Sequence, residues 1–218
     1  MKIYIVVPAY NEGKRIGKVL KELKAQRLPV IVVDDGSKDN TYKEALKSKY
    51  LVLKHRINLG KGAAMKTGAM AAFKLGADAV IFMDSDGQHK VEDLPNFTKA
   101  LNTKTDIVFG SRNLGLKMPF VRFAGNKVAS VFVNILFGIY VSDLVCGFRA
   151  ITKKAFTKIM WESTGYGVET EMVIRTAKSG LMHCEVPVKT VYYDQYKGVS
   201  IMDAFDILFS VLRWRIKL

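Results

Sequence analysis

The 218-residue chain has only two cysteines, Cys146 and Cys184, and they stand far apart with no Cys-x-x-Cys or zinc-ligand spacing. That excludes a disulfide framework or a cysteine-built zinc site, and reads as reduced thiols in the core of a cytosolic protein. Long apolar runs are also missing. The longest uncharged stretch, residues 128–142, falls short of the roughly 20 residues that cross a bilayer, so no transmembrane anchor is expected. The apolar start, Met1 to Pro8, is too short for a signal peptide. Negative charge is scarce: 20 Asp and Glu face 34 Lys and Arg, a net charge of +14. Such an excess suits nucleic acid, an anionic membrane surface or a lysine-rich solvated surface. No interleaved basic-aromatic motif of a nucleic-acid module is present, so no nucleic acid is expected as a partner. With 49% apolar residues the chain is not disordered, and its length suits one α/β domain.

What is present converges on one short stretch. Val80-Ile81-Phe82-Met83 is an apolar run that ends abruptly in Asp84-Ser85-Asp86-Gly87-Gln88. The run predicts a buried strand of a parallel sheet. In open α/β sheets, ligands sit beyond the carboxyl ends of the strands, which is where both aspartates fall. Two carboxylates and an amide oxygen are hard ligands, suited to Mg²⁺ or Mn²⁺ shared with phosphates. Taken alone, the same residues suit an acidic turn equally well.

Around this stretch the chain alternates. Strands are predicted at 3–8, 30–33, 51–53 and 107–110. Helices are predicted over 16–28, from Asp39-Asn40-Thr41 onward, and from Asn58-Leu59-Gly60-Lys61-Gly62 through Phe73. The expected fold is α/β, a doubly wound, mostly parallel sheet with helices on both faces. Nearly every strand ends in polar residues: Tyr10-Asn11-Glu12, Asp34-Asp35, Asn58 with Lys61, Asp84-Ser85-Asp86, and Ser111-Arg112. Parallel strands carry those ends to one edge, where they are expected to form a single nucleotide-and-metal cleft.

Together these blocks resemble the family 2 glycosyltransferases of the GT-A fold. The likeness lies in Val6-Val7-Pro8-Ala9-Tyr10-Asn11-Glu12, Val32-Val33-Asp34-Asp35-Gly36-Ser37, Asn58-Leu59-Gly60-Lys61-Gly62-Ala63-Ala64 and Asp84-Ser85-Asp86-Gly87-Gln88-His89. Gly110-Ser111-Arg112 and Asp143-Leu144-Val145-Cys146-Gly147-Phe148-Arg149-Ala150 are similar to the branch that glycosylates polyprenyl phosphates, dolichol-phosphate mannose synthases among them.

The resemblance implies a catalytic domain over residues 1–200 that is metal-dependent, with Mg²⁺ or Mn²⁺, and inverting. It would move mannose or glucose from GDP-mannose or UDP-glucose to dolichyl or polyprenyl phosphate. Pro8, Tyr10, Glu12, Asp34 and Asp35 would hold the nucleotide. Asp84 and Asp86 would face the metal and diphosphate, Gln88 would complete the metal shell, Ser85 would act through its backbone, and Lys61 would offset phosphate charge. His89 is expected as a hydrogen-bonded loop residue rather than a ligand. Asp86, Arg112 and Asp143 would be the catalytic residues, with Asp143 orienting sugar hydroxyls or acting as a base.

Arg112, Arg122 and Asn126 would hold the acceptor phosphate. Arg122, Asn126 and Ser130 are spaced by four and share one face of a helix beginning near Phe120. Glu169, at a possible helix start, would contribute weakly to sugar binding. There is one departure from the branch. Mannose synthases carry Arg-x-x-Gly-x-Ser-Lys where this chain has Gln195-Tyr196-Lys197-Gly198-Val199-Ser200-Ile201. Only Lys197 is basic there, which makes a uridine-diphosphate hexose a competitor to GDP-mannose.

Residues 201–218 are expected to form an amphipathic helix. Asp203, Asp206, Ser210, Arg213 and Lys217 make a polar stripe opposite Ile201, Phe205, Leu208, Phe209, Leu212 and Ile216. The apolar face suits a membrane headgroup region, and suits the domain's own core as well. Residues 128–140 are a second interfacial candidate. A lipid acceptor has to be met at the membrane, so the expectation is a peripheral enzyme on the cytoplasmic face. Two rival readings remain: a family 2 transferase acting on a soluble saccharide or glycan, and a non-catalytic nucleotide-sugar-binding protein.

Overall fold

The structure is a computed structural model that describes residues 1–112, 120–189 and 209–216. Its strands are β1 (Ile3–Ala9), β2 (Val30–Asp34), β3 (Leu51–Lys54), β4 (Ala79–Phe82), β5 (Ile107–Arg112), β6 (Arg149–Thr152) and β7 (His183–Val188). They form one sheet in the order β3-β2-β1-β4-β6-β5-β7. Only β6 runs antiparallel, pairing with β4 and β5; the remaining described pairs are parallel. The α-helices are α1 (Ile16–Leu23), α2 (Thr41–Leu46), α3 (Lys61–Lys74), α4 (Leu94–Leu101), α5 (Phe120–Phe137), α6 (Lys153–Ile159) and α7 (Val168–Lys178), followed by a helical segment at 209–216.

The inner strands are apolar on both sides because helices cover both faces of the sheet. Ile5, Val7, Val32 and Ile81 pack with Ile16, Val19, Leu20 and Leu23 of α1 and with Leu94, Phe97 and Leu101 of α4. Val6, Ile31, Val33 and Phe82 pack with the alanine-rich α3 and with Met172 and Val173 of α7. Truncating one of these buried leucines to alanine costs about 2–5 kcal/mol. The apolar spacing of α1 thus marks the face it buries, although the helix is shorter than 16–28. It passes into a 3₁₀ turn at Lys24–Gln26, and Arg27 ends it in the left-handed region at φ 56°.

Strands β6 and β7 were not expected. β7 pairs with β5 at the edge of the sheet, and β6 inserts between β4 and β5. Because β6 is antiparallel to both, β4 and β5 still run the same way, and the carboxyl ends of β1, β2, β4 and β5 meet at one edge.

Val211 and Trp214 of the 209–216 segment are buried in the same cluster as Phe82 and Met172, while Phe209, Leu212 and Ile216 face outward. Among the described residues no helix is long and apolar enough to cross a membrane.

Candidate active site

A cleft of about 420 Å³ opens at that shared edge. Pro8, Ala9, Tyr10 and Glu12 reach it from the end of β1, and Asp35 from the end of β2. Asn58, Gly60, Lys61 and Ala64 come from the start of α3, Asp84, Ser85 and Asp86 from the end of β4, and Gly165 and Tyr166 from the loop before α7. The convergence expected from the strand order is present.

At its centre Lys61 Nζ lies 2.7 Å from Asp84 Oδ1 and 2.8 Å from Glu169 Oε1. Burial opposes the ammonium's charge, but the two carboxylates outweigh it and hold the Lys61 pKa above its ordinary value. Asp84 is likewise subject to burial and is nevertheless held low, chiefly by Lys61. Asp86 differs. Burial, then the neighbouring charge of Asp84, push its carboxyl up to about 6, although the Gln88 N–H donates to Oδ1 at 2.9 Å. Asp86 therefore has less positive charge beside it than its ionised form requires. A divalent cation would supply that charge, and the hard carboxylate oxygens of Asp84 and Asp86 suit Mg²⁺ or Mn²⁺.

His89 closes the turn from beneath. The Asp84 N–H donates to His89 Nδ1 at 3.3 Å, and the ring stacks on Phe148 at 4.9 Å, which stacks on Phe97 at 4.3 Å. Burial pushes the imidazole down to about 4. It is thus a neutral ring that holds the loop, as expected.

The wall at the end of β2 centres on Asp35. Its Oδ1 accepts the Leu59 N–H at 2.9 Å, its Oδ2 accepts the Gly60 N–H at 2.8 Å, and His55 Nδ1 lies 2.7 Å from Oδ1. His55 Nε2 is 2.9 Å from Thr67 Oγ1. Asp35 is therefore a fixed acceptor that also ties β2 to the start of α3.

At the far end of the edge, Arg112 Nε donates to Asp143 Oδ2 at 2.6 Å and Nη2 to Oδ1 at 2.8 Å. Asn126 Nδ2 donates to Asp143 Oδ1 at 3.2 Å, and Asn126 Oδ1 accepts the Leu144 N–H at 3.2 Å. Asn126 and Asp143 are both buried. Ser130 turns inward on its own helix, donating to the Asn126 carbonyl at 2.9 Å.

Most of the expected site residues are brought together: Pro8, Tyr10, Glu12, Asp35, Lys61, Asp84, Ser85 and Asp86 all line the cleft, and Glu169 reaches it through Lys61. Asp34 does not line it. Its carboxylate is fully buried at the end of β2 with no hydrogen bond among the described residues, and Lys54 Nζ lies 4.0 Å away. Gln88 supplies a backbone N–H to Asp86 and is not part of the lining. The side chain of Arg122 and the 195–201 loop with Lys197 lie outside the described residues. Sequence reasoning missed His55, Gly165 and Tyr166. The available signal for the last two was an aromatic between glycines, three residues ahead of Glu169.

The glycosyl transferase family 2 model matches residues 4–160. An uncharacterized protein of Methanocaldococcus jannaschii is 37% identical, covering 99% of this chain and 93% of that protein. The UDP-N-acetylglucosamine–dolichyl-phosphate N-acetylglucosaminyltransferase of Methanococcus voltae is 35% identical over 96% of this chain and 94% of its own length. The undecaprenyl-phosphate mannosyltransferase of Micrococcus luteus is 31% identical over 98% and 94%. Among solved structures, glucosyl-3-phosphoglycerate synthase from Mycobacterium tuberculosis, in complex with Mn²⁺, UDP and glucosyl-3-phosphoglycerate, superposes with a TM-score of 0.79. It is 21% identical and covers 100% of this chain and 80% of that one, a likeness of fold. With a matching family model over most of its length and these relatives beside it, the chain belongs to glycosyl transferase family 2 and is a glycosyltransferase.

Proposed function

We propose that the cleft binds a nucleoside-diphosphate sugar with a divalent cation and that the sugar passes, with inversion, to a polyprenyl or dolichyl phosphate. The observation that carries this reading is the meeting of Lys61, Asp84, Asp86 and Asp35 in one cleft. The group supports a diphosphate at one end and an N–H-bearing base at the other. The names of the Methanococcus voltae and Micrococcus luteus relatives support the acceptor class.

An acceptor phosphate is largely ionised at pH 7, because its second pKa is near 6. It needs no strong base to become a nucleophile. What it needs is a fork of donors that holds one anion beside another. Arg112 is the residue assigned to the acceptor phosphate; its Nε and Nη2 are held by Asp143, which sets its orientation. Lys61 meets the diphosphate charge from the floor of the cleft. A cation bound at Asp84 and Asp86 would act as a Lewis acid on the departing nucleoside diphosphate. Glu169, paired with Lys61, would contribute weakly to sugar binding. Exposed apolar residues on α5, including Val128, Val131 and Ile135, and Phe209, Leu212 and Ile216 at the carboxyl end are the surface offered to a membrane. The excess basic charge favours an anionic leaflet, which supports peripheral attachment at the cytoplasmic face.

The test is a transfer assay with UDP-N-acetylglucosamine, UDP-glucose and GDP-mannose, each with Mn²⁺, offering polyprenyl phosphate or free sugars as acceptor. Transfer to the lipid phosphate that is lost in Asp86→Ala is the expected result. A protein that neither transfers nor hydrolyses any of these donors would overturn the reading, and preference for free sugars would overturn the acceptor.

A further inference from the structure

The loop at residues 161–167 is locked into place by contacts from two helices. Trp161 Nε1 donates to the Gly62 carbonyl at 2.9 Å. The backbone N–H groups of Glu162 and Ser163 donate to the Glu171 carboxylate at 2.9 and 2.7 Å. Glu171 is fully buried and also accepts from Arg175 Nε at 2.5 Å. In mid-loop the Thr164 carbonyl accepts the Gly62 N–H at 2.6 Å. A Cβ on Gly60 would stand 2.4 Å from the Thr164 oxygen, and one on Gly62 would stand 2.2 Å from the Ser163 oxygen. The glycines on either side of Lys61 are therefore required by the approach of this loop, whatever the phosphates do.

All this bracing presents Gly165 and Tyr166 to the cleft. Tyr166 is 52% exposed and belongs to neither apolar cluster of the fold. The core thus gives no reason for an aromatic at this position, yet the loop that carries it is held by a buried carboxylate. We infer that Tyr166 is a donor-binding residue whose ring packs on the nucleotide portion of the sugar donor, and that Glu171 is the residue that positions it. The inference rests on the nucleotide-sugar reading above. Ring packing suits it because a rigid aromatic offers contact area at little conformational cost.

Calorimetric titration of UDP and of GDP, each with Mn²⁺, tests it without turnover. Tyr166→Ala should weaken the nucleotide that the wild type prefers by about tenfold, as loss of one aromatic contact implies. Tyr166→Phe should bind like wild type. Because the side chain is half-exposed, the ligand-free melting midpoint of Tyr166→Ala should match the wild type. Glu171→Gln should weaken binding less, and adding it to Tyr166→Ala should bring no further loss, because both changes remove one contact. Wild-type binding that Tyr166→Ala leaves intact would overturn the inference alone. A wild type that binds neither nucleotide would overturn the donor cleft and this inference with it, and additive losses would overturn the positioning role of Glu171.

Discussion

Arg112, at the end of β5, and Asp143, in the segment leading to β6, form a forked ion pair with N–O distances of 2.6 and 2.8 Å, and the carboxylate is completely buried. The pair joins two elements 31 residues apart in the sequence. Breaking a buried pair by removing one partner strands the other charge, at about 3–5 kcal/mol. Asp143→Ala should therefore lose about 3 kcal/mol of stability in urea denaturation, the low end because Arg112 retains some solvent access. In a double-mutant cycle with Arg112→Ala the coupling should exceed about 1 kcal/mol. A coupling near zero would mean that the two residues act independently.

Gly147 lies directly against the central ion pair. A Cβ there would stand 2.5 Å from Asp84 Oδ2 and 2.6 Å from Lys61 Nζ. Gly147→Ala should push Asp84 and Lys61 out of register and weaken nucleoside diphosphate binding by about tenfold, some 1.4 kcal/mol. Isothermal titration with Mn²⁺ present checks this; unchanged affinity would show that the pair does not support the diphosphate.

His89 makes stability depend on pH with a definite sign. An unfolded histidine titrates near pH 6.5, whereas burial holds this one at about 4 in the folded chain. Above pH 6.5 both states are neutral, and the contribution is fully present. As the pH falls from 6.5 toward 4, the unfolded chain takes up a proton that the folded chain refuses, and stability is lost, by up to about 3 kcal/mol. Denaturation of wild type and His89→Gln at pH 7 and pH 5 should show the wild type's advantage shrinking at the lower pH. A pH-independent difference would contradict the buried, neutral ring.

Burial, the leading cause, and the charge of Asp143 push the Cys146 thiol up to about 12, and the side chain is fully buried. Cys184 is only partly buried. Alkylation at pH 8 should modify Cys184 first and Cys146 only at the rate of opening, because the thiolate is the reactive species. Rapid labelling of Cys146 in the native state, followed by peptide mapping, would argue against this packing.

The division between sequence and tertiary structure follows from range. Local pattern determined β1 to β5, the buried face of α1, and the polar endings Asp84-Ser85-Asp86 and Tyr10-Asn11-Glu12, because apolar period and strand length are properties of neighbouring residues. The sheet order alone then carried those endings to one edge. Strands β6 and β7 were not legible, since β6 is four residues beginning with a buried arginine and β7 carries Glu185 and Pro187, so neither shows an uninterrupted apolar run. The partners of Asp143 depended on contacts across 17 and 31 residues, and Tyr166 depended on Gly62, about a hundred residues away. Likewise, the adjacent acids Asp34 and Asp35 look alike in sequence and both are buried, yet alternation along the strand end keeps the first out of the cleft and turns the second into its lining. Residue chemistry named the metal-suited carboxylates, and only the packed fold decided which charges they face.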